Sequence, residues 1–90
     1  MATFHLLITG KVQGVFYRAT AKKVAKKLNV KGWIRNTDTD DVEAVITGTQ
    51  EALQQFINWC KQGPERAVVE DVVVTEKEEQ IFTDFVIKRG

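Results

Sequence analysis

The fold-deciding stretch is Phe4-His5-Leu6-Leu7-Ile8-Thr9-Gly10-Lys11-Val12-Gln13-Gly14-Val15-Phe16-Tyr17-Arg18. Its first residues place apolar side chains at alternate positions, which predicts a strand. The segment from Gly10 to Gly14 contains two glycines and predicts a tight loop. An apolar stripe with helical spacing follows, and it predicts a helix through the residues Tyr17, Ala21, Val24, Ala25 and Leu28.

Turn residues and helix caps divide the rest of the chain into helices and strands. Asn29 is a plausible end for the first helix, Thr49 is a good N-cap for a second helix, and Gly63 with Pro64 ends that helix. Alternating or β-branched runs predict four further strands, over the ranges 30–36, 42–48, 68–75 and 82–88.

The predicted order is β-α-β-β-α-β with a short C-terminal fifth strand. This order is typical of the α+β ferredoxin-like sandwich, in which two helices lie on one face of an antiparallel sheet. Ninety residues provide too little apolar material for a second core, so we expect a single domain over residues 1–90. Because many unrelated activities share this fold, the fold alone predicts no function.

Composition narrows the class of protein. The net charge of +1 argues against bulk electrostatic capture of nucleic acid. The single cysteine, Cys60, excludes an intramolecular disulfide and is compatible with a reducing compartment. The first nine residues lack the pattern of a signal peptide, and no apolar run approaches the ~20 residues of a membrane helix. We therefore expect a cytoplasmic monomer without a membrane or nucleic-acid partner.

The segment Gly10 to Arg18 joins the first strand to the first helix. Helix N-termini favour anions, and glycine allows successive backbone N–H groups to converge on one oxyanion. A cation at Arg18, in the first turn, opposes the helix dipole by roughly 0.3–1 kcal/mol unless an anion binds there. From the residues alone, an ordinary turn beside a solvated arginine remains open. The segment is not a nucleotide P-loop, because it lacks the glycine-lysine-serine/threonine run.

Two motifs carry a resemblance to a known family. The run Gly10-Lys11-Val12-Gln13-Gly14-Val15-Phe16-Tyr17-Arg18 resembles the first signature of the acylphosphatases, and Gly32-Trp33-Ile34-Arg35-Asn36 resembles the second. The helix between them has the family's length, and later residues also look like the family, so the resemblance covers essentially the whole chain.

The resemblance implies an enzyme that cleaves acyl phosphates to a carboxylate and inorganic phosphate without a metal or cofactor. It implies that Arg18 binds the substrate phosphate and that Asn36 orients the nucleophilic water. It also implies a phosphate-binding set of backbone amides from the residues Gln13, Gly14, Val15, Phe16 and Tyr17. A carboxylate leaves readily, so the chemistry needs charge stabilisation and an in-line water more than a strong acid or base. We expect a substrate phosphate oxygen to take the water's proton.

The sequence departs from the family at one point. Acylphosphatases commonly have Asp-Gly in the hairpin turn after the second motif, whereas this chain has Thr39-Asp40-Asp41. Aspartate can adopt the positive φ of such turns at some cost, so the turn type stays open at this stage. Thr37 either adds a hydroxyl near the site or hydrogen-bonds within the turn.

Other interpretations are weaker. The run Asn36 to Asp41 fails as a calcium loop, because Asp41 stands where glycine is required. RNA binding by the sheet would need aromatic residues in the strand over 42–48, which has none. A catalytically silent anion-binding module is the main alternative, and the presence of both Arg18 and Asn36 favours the enzyme.

We expect His5 to be structural or exposed and Cys60 to be buried.

Overall fold

The computed structural model describes residues 1–89. Two helices, α1 (Tyr17–Leu28) and α2 (Gln50–Gln62), contact each other and pack on a five-stranded sheet. The strands are β1 (Ala2–Lys11), β2 (Lys31–Asn36), β3 (Val42–Gly48), β4 (Val68–Lys77) and β5 (Phe85–Ile87), in the spatial order β4-β1-β3-β2-β5. The ferredoxin-like α+β class is confirmed.

Local cap chemistry sets the helix ends as predicted. Asn29 adopts the left-handed conformation at the end of α1, with φ 61°. The Thr49 side chain accepts a hydrogen bond from the Ala52 N–H at 3.2 Å and caps α2. Gly63, with φ 70°, ends α2 and donates its N–H to the Trp59 carbonyl at 2.7 Å.

One edge of the sheet differs from the prediction. Four strands pair antiparallel, but β5 runs parallel to β2, with Gly32 opposite Phe85. The four longer strands form the predicted antiparallel sheet, and the short fifth strand adds a parallel edge, so the complete sheet is mixed. After β4 the chain crosses the end of the sheet, where Gln80 bonds to Thr3 and Thr47, and it then enters β5 in the direction of β2.

The fifth strand is also shorter than predicted. A strand was predicted over 82–88, whereas the strand covers only Phe85–Ile87 and buries Phe85 completely. The residues before Phe85 belong to the crossing connection, so their alternation carries no strand information.

One apolar core fills the space between the helices and the sheet. Its largest fully buried side chains come from both layers and include Leu6, Ile8, Tyr17, Ile34, Phe56 and Phe85. Among residues 1–89, neither helix has the length and apolar character needed to cross a membrane.

Candidate active site

The loop between β1 and α1 is anchored by two buried valines. Val12 and Val15 belong to the core, whereas Gly14 and Phe16 are exposed. Gly14 has φ 73°, and a Cβ at this position would meet no atom within 4 Å. Backbone conformation, not lack of space, therefore requires the glycine.

The N-terminus of α1 has no side-chain cap. Phe16 stands at the N-cap position in the left-handed region, with φ 63° and ψ 22°, and no side chain bonds to the first amides. The Thr20 N–H bonds to the Phe16 carbonyl at 3.0 Å, so the amides ahead of Thr20 have no helical acceptor. The first turn has no acidic residue. This end of the helix therefore presents free donors and an uncompensated positive dipole.

Arg18 adds a full positive charge to that helix end. Its side chain is partly buried, and it forms no ion pair with any carboxylate of residues 1–89. A guanidinium can make paired hydrogen bonds to phosphate oxygens. The Arg18 charge and the free amides would therefore stabilise a bound anion, and no carboxylate of residues 1–89 pairs with Arg18 in its place.

Asn36 is the last residue of β2 and pairs with Val42 of β3. Its Oδ1 is buried and has no hydrogen-bond partner, and it is the one such side-chain atom among the residues that the structure describes. Buried polar atoms are nearly always paired, so this oxygen retains the capacity to accept a hydrogen bond from a donor such as water.

Arg18 and Asn36 line one cavity, whose volume is about 300 Å³. The cavity is lined by Val12, Gly14, Phe16, Tyr17, Arg18, Ala19, Asn36 and Ile87. Gly14, Phe16 and Tyr17 of the predicted amide set reach it, whereas Gln13 and Val15 are not among its lining residues. No sequence pattern pointed to Ile87, because its position depends on the parallel pairing of β5 with β2.

Only the backbone of Tyr17 is available to this site. Its ring is buried, and its hydroxyl donates to the Cys60 carbonyl at 2.7 Å. Burial raises the pKa of Tyr17 far above its ordinary value, so the hydroxyl stays protonated. Burial also raises the pKa of the Cys60 thiol to about 12. Both side chains have structural roles in the core, and the prediction of a buried Cys60 is confirmed.

The turn after Asn36 forms without glycine. Asp40 takes the positive φ, at 67°. The Thr37 N–H donates to the Asp41 carbonyl at 2.9 Å, and the Thr37 hydroxyl accepts from the Asp41 N–H at 3.1 Å. The Thr37 hydroxyl therefore serves the turn, and aspartate replaces the glycine common in the family.

Two further features escaped sequence reasoning. The Gln13 side chain reaches the turn after Asn36.

On the sheet face opposite Asn36, the Glu43 carboxylate bonds to His5 at 2.8 Å and to Arg35. These partners, the His5 hydrogen bond first, hold the pKa of Glu43 below its usual range. Because Arg35 pairs with Glu43 next to the Asn36–Val42 pair, this triad supports the strand register at the site.

Among residues 1–89, no group of three or more histidine, cysteine, aspartate or glutamate side chains could hold a metal ion.

Comparisons with known proteins agree with this geometry. The acylphosphatase family model matches residues 4–87. The chain is 47% identical to an acylphosphatase of Marinobacter nauticus, covering 91% of this chain and 90% of that protein. It is 48% identical to an acylphosphatase of Pyrobaculum arsenaticum, covering 94% and 92%. The crystal structure of acylphosphatase from Bacillus subtilis superposes with a TM-score of 0.94 at 32% identity, covering 98% of this chain and 99% of that chain.

These matches favour the enzyme over the silent anion-binding module. They run along nearly the whole chain and include both motifs that line the cavity. The chain therefore belongs to the acylphosphatase family and is an enzyme that hydrolyses acyl phosphates.

Proposed function

We propose that the cavity at the N-terminus of α1 is the active site, with Arg18 and the loop amides binding the phosphoryl group and Asn36 orienting the attacking water. The observation that carries this assignment is that Arg18 and Asn36 line one cavity, while the buried Oδ1 of Asn36 has no hydrogen-bond partner among the described residues. A carboxamide oxygen can accept a hydrogen bond from water and fix its direction.

The proposed phosphate-binding role rests on the positive charge and hydrogen-bond donors that face the negative phosphoryl group. The backbone N–H groups of Gln13 to Tyr17 lie at or before the free end of α1, and Arg18 supplies paired donors beside them. Developing charge on the three equatorial phosphoryl oxygens is stabilised by donors that are already in place. Arg18 and the amides thereby take the role that a divalent cation has in other phosphoryl transfers.

The reaction is a transfer of the phosphoryl group to water. The water oxygen forms a bond to phosphorus while the bond from phosphorus to the acyl oxygen breaks, and the carboxylate leaves with that electron pair. A substrate phosphate oxygen takes the water's proton, because Asn36 is not a strong base. In-line placement of water is the main contribution of the site.

Several further properties belong to this proposal. The enzyme acts on small-molecule acyl phosphates, releases inorganic phosphate, and uses no metal or cofactor. Residues 1–90 act as one monomeric domain in the cytoplasm. The single apolar core supports the single domain, and the lone, free Cys60 is compatible with the reducing conditions of the cytoplasm.

Binding of the product, inorganic phosphate, tests the phosphate-binding role without turnover. Titration calorimetry should show that Arg18→Ala weakens binding by at least about tenfold, since a charge-assisted pair contributes roughly 1.5–3 kcal/mol. Lys27→Ala removes a cation from the other end of the same helix and should change the affinity less than about twofold. Equal affinity in Arg18→Ala and the unaltered protein would remove Arg18 from the site.

A further inference from the structure

The side chain of Gln13 joins the loop before α1 to the turn after Asn36. Its Nε2 donates to the Thr37 carbonyl at 3.0 Å and to the Asp41 carbonyl at 2.8 Å. The side chain is partly buried, and both of its amide hydrogens are used. Gln13 precedes Gly14 in the proposed phosphate loop, and Thr37 follows Asn36. One side chain thus connects the two halves of the site.

These two bonds act where the hairpin turn begins and ends. Thr37 and Asp41 already close the turn by a backbone hydrogen bond of 2.9 Å, and the Asp41 carbonyl accepts from both Thr37 and Gln13. The exposed turn residues Asp38 to Asp40 contribute no bond to the phosphate loop. Gln13 is therefore the hydrogen-bonded link between the turn and that loop.

The Oδ1 of Asn36 has no hydrogen-bond partner within residues 1–89, so no hydrogen bond to this atom fixes the side chain. Its placement rests on packing and on the backbone at the end of β2, where Asn36 pairs with Val42. A shift of the turn by a fraction of an ångström would move Oδ1 relative to phosphorus. Misplacement on this scale is sufficient to lower the rate of an in-line reaction.

We propose that Gln13 is a positioning residue that fixes Asn36 relative to the phosphate loop. This inference rests on the roles proposed above for Asn36 and the loop. It assigns a function to the Gln13 side chain that is separate from any role of its backbone amide in phosphate binding.

The first test separates turnover from phosphate binding. Gln13→Met keeps the length of the side chain and removes both donors, while Gln55→Met makes the same change on the exposed face of α2. We expect Gln13→Met to lower kcat about 10- to 100-fold with less than about threefold change in phosphate affinity. Gln55→Met should match the unaltered protein. A kcat within twofold of the unaltered value in Gln13→Met would overturn the proposal.

A double-variant comparison tests whether Gln13 acts through Asn36. In an Asn36→Ala background, Gln13→Met should lower kcat by less than about twofold, because there is no carboxamide left to position. If the two losses multiply instead, Gln13 acts independently of Asn36 and the proposal is overturned. If Asn36→Ala alone has full activity, the proposed role of Asn36 fails first, which distinguishes the two failures.

The variant Gln13→Glu provides a pH readout that does not depend on lost packing. At about pH 7 its carboxylate faces two carbonyl oxygens and cannot donate, so kcat should be at most that of Gln13→Met. A glutamate ordinarily protonates near pH 4.3, and the protonated carboxyl can donate one hydrogen bond. The ratio of kcat in Gln13→Glu to that in Gln13→Met should therefore rise as the pH falls from about 7 to about 4. A ratio that stays constant would overturn the proposal.

Discussion

Arg18 and Asn36 line the same cavity although most of α1 and most of β2 lie between them in the chain. Arg18 lies in the first turn of that helix, and Asn36 ends the strand that follows it. β1 and β2 both pair antiparallel with β3, so their C-terminal ends lie at the same end of the sheet. Arg18, just after the loop that follows β1, and Asn36, at the end of β2, therefore lie at that end. This arrangement places a cationic side chain and Asn36, whose buried Oδ1 has no partner within residues 1–89, at one cavity.

The left-handed conformation of Phe16 predicts a stabilising substitution. A non-glycine residue in this region costs about 1 kcal/mol or more, and the Phe16 side chain is 75% exposed. Phe16→Gly should exceed Phe16→Ala in free energy of unfolding by about 1 kcal/mol, because only glycine relieves the strain. Urea denaturation of the two variants measures this difference.

The same pair of variants tests whether the loop conformation serves binding. Both lose the aromatic ring, so the comparison isolates the backbone. Phe16→Gly should bind inorganic phosphate more weakly than Phe16→Ala, since its amides are less constrained. Equal free energies of unfolding for the two variants would show that the left-handed conformation of residue 16 carries no strain. Tighter phosphate binding by Phe16→Gly would show that this conformation does not favour phosphate binding.

The turn after Asn36 predicts a second gain in stability. Asp40 has φ 67°, and glycine adopts this conformation without steric cost. Asp40→Gly should raise the free energy of unfolding by about 0.5–1 kcal/mol and leave kcat unchanged. Asp38→Gly makes the same change at a neighbouring exposed turn residue outside the positive-φ region and should give no gain. Equal effects in thermal unfolding would show that Asp40 is not the strained residue.

The triad behind the site predicts a loss of stability in acid. The pKa of Glu43 is lowered in the folded state by His5 and Arg35, so the unfolded chain binds its proton more tightly. The stabilisation is present above the ordinary glutamate pKa near 4.3 and is lost as the pH falls through the lower folded value. At about pH 7, Glu43→Gln should lower the free energy of unfolding by about 1–2 kcal/mol.

The difference in free energy of unfolding between Glu43→Gln and the unaltered protein should become smaller as the pH falls from about 5 to about 3. Denaturant unfolding at several pH values measures it. Glu65→Gln, at an exposed position between α2 and β4, is the control and should show little change at any pH. A gap that stays constant with pH would mean that Glu43 contributes through packing and not through its charge.

Local chemistry made much of the fold predictable from the sequence. The stripe from Tyr17 to Leu28, the Thr49 cap and the Gly63-Pro64 end are each decided by a few neighbouring residues, and the structure confirms them. The positions of Arg18 and Asn36 followed from the same local elements together with the family motifs.

What escaped prediction depends on residues that are distant in the chain. The parallel direction of β5 follows from the crossing at the end of the sheet, where Thr3, Thr47 and Gln80 meet, and no local pattern encodes it. The Gln13 bonds and the unpaired Oδ1 of Asn36 likewise exist only once the loop and hairpin are packed together.

Hydrolysis of a simple aryl acyl phosphate, with EDTA present, by the unaltered protein and by Asn36→Ala tests whether Asn36 orients water beside a metal-free phosphate loop. Phosphate affinity and thermal unfolding of both proteins would be measured alongside. We predict rapid turnover by the unaltered protein, a loss of kcat of about 100-fold or more in Asn36→Ala, and phosphate affinity within about threefold in a variant that stays folded. Full turnover in Asn36→Ala, or turnover of the unaltered protein that EDTA abolishes, would contradict a site in which Asn36 orients water beside a metal-free phosphate loop.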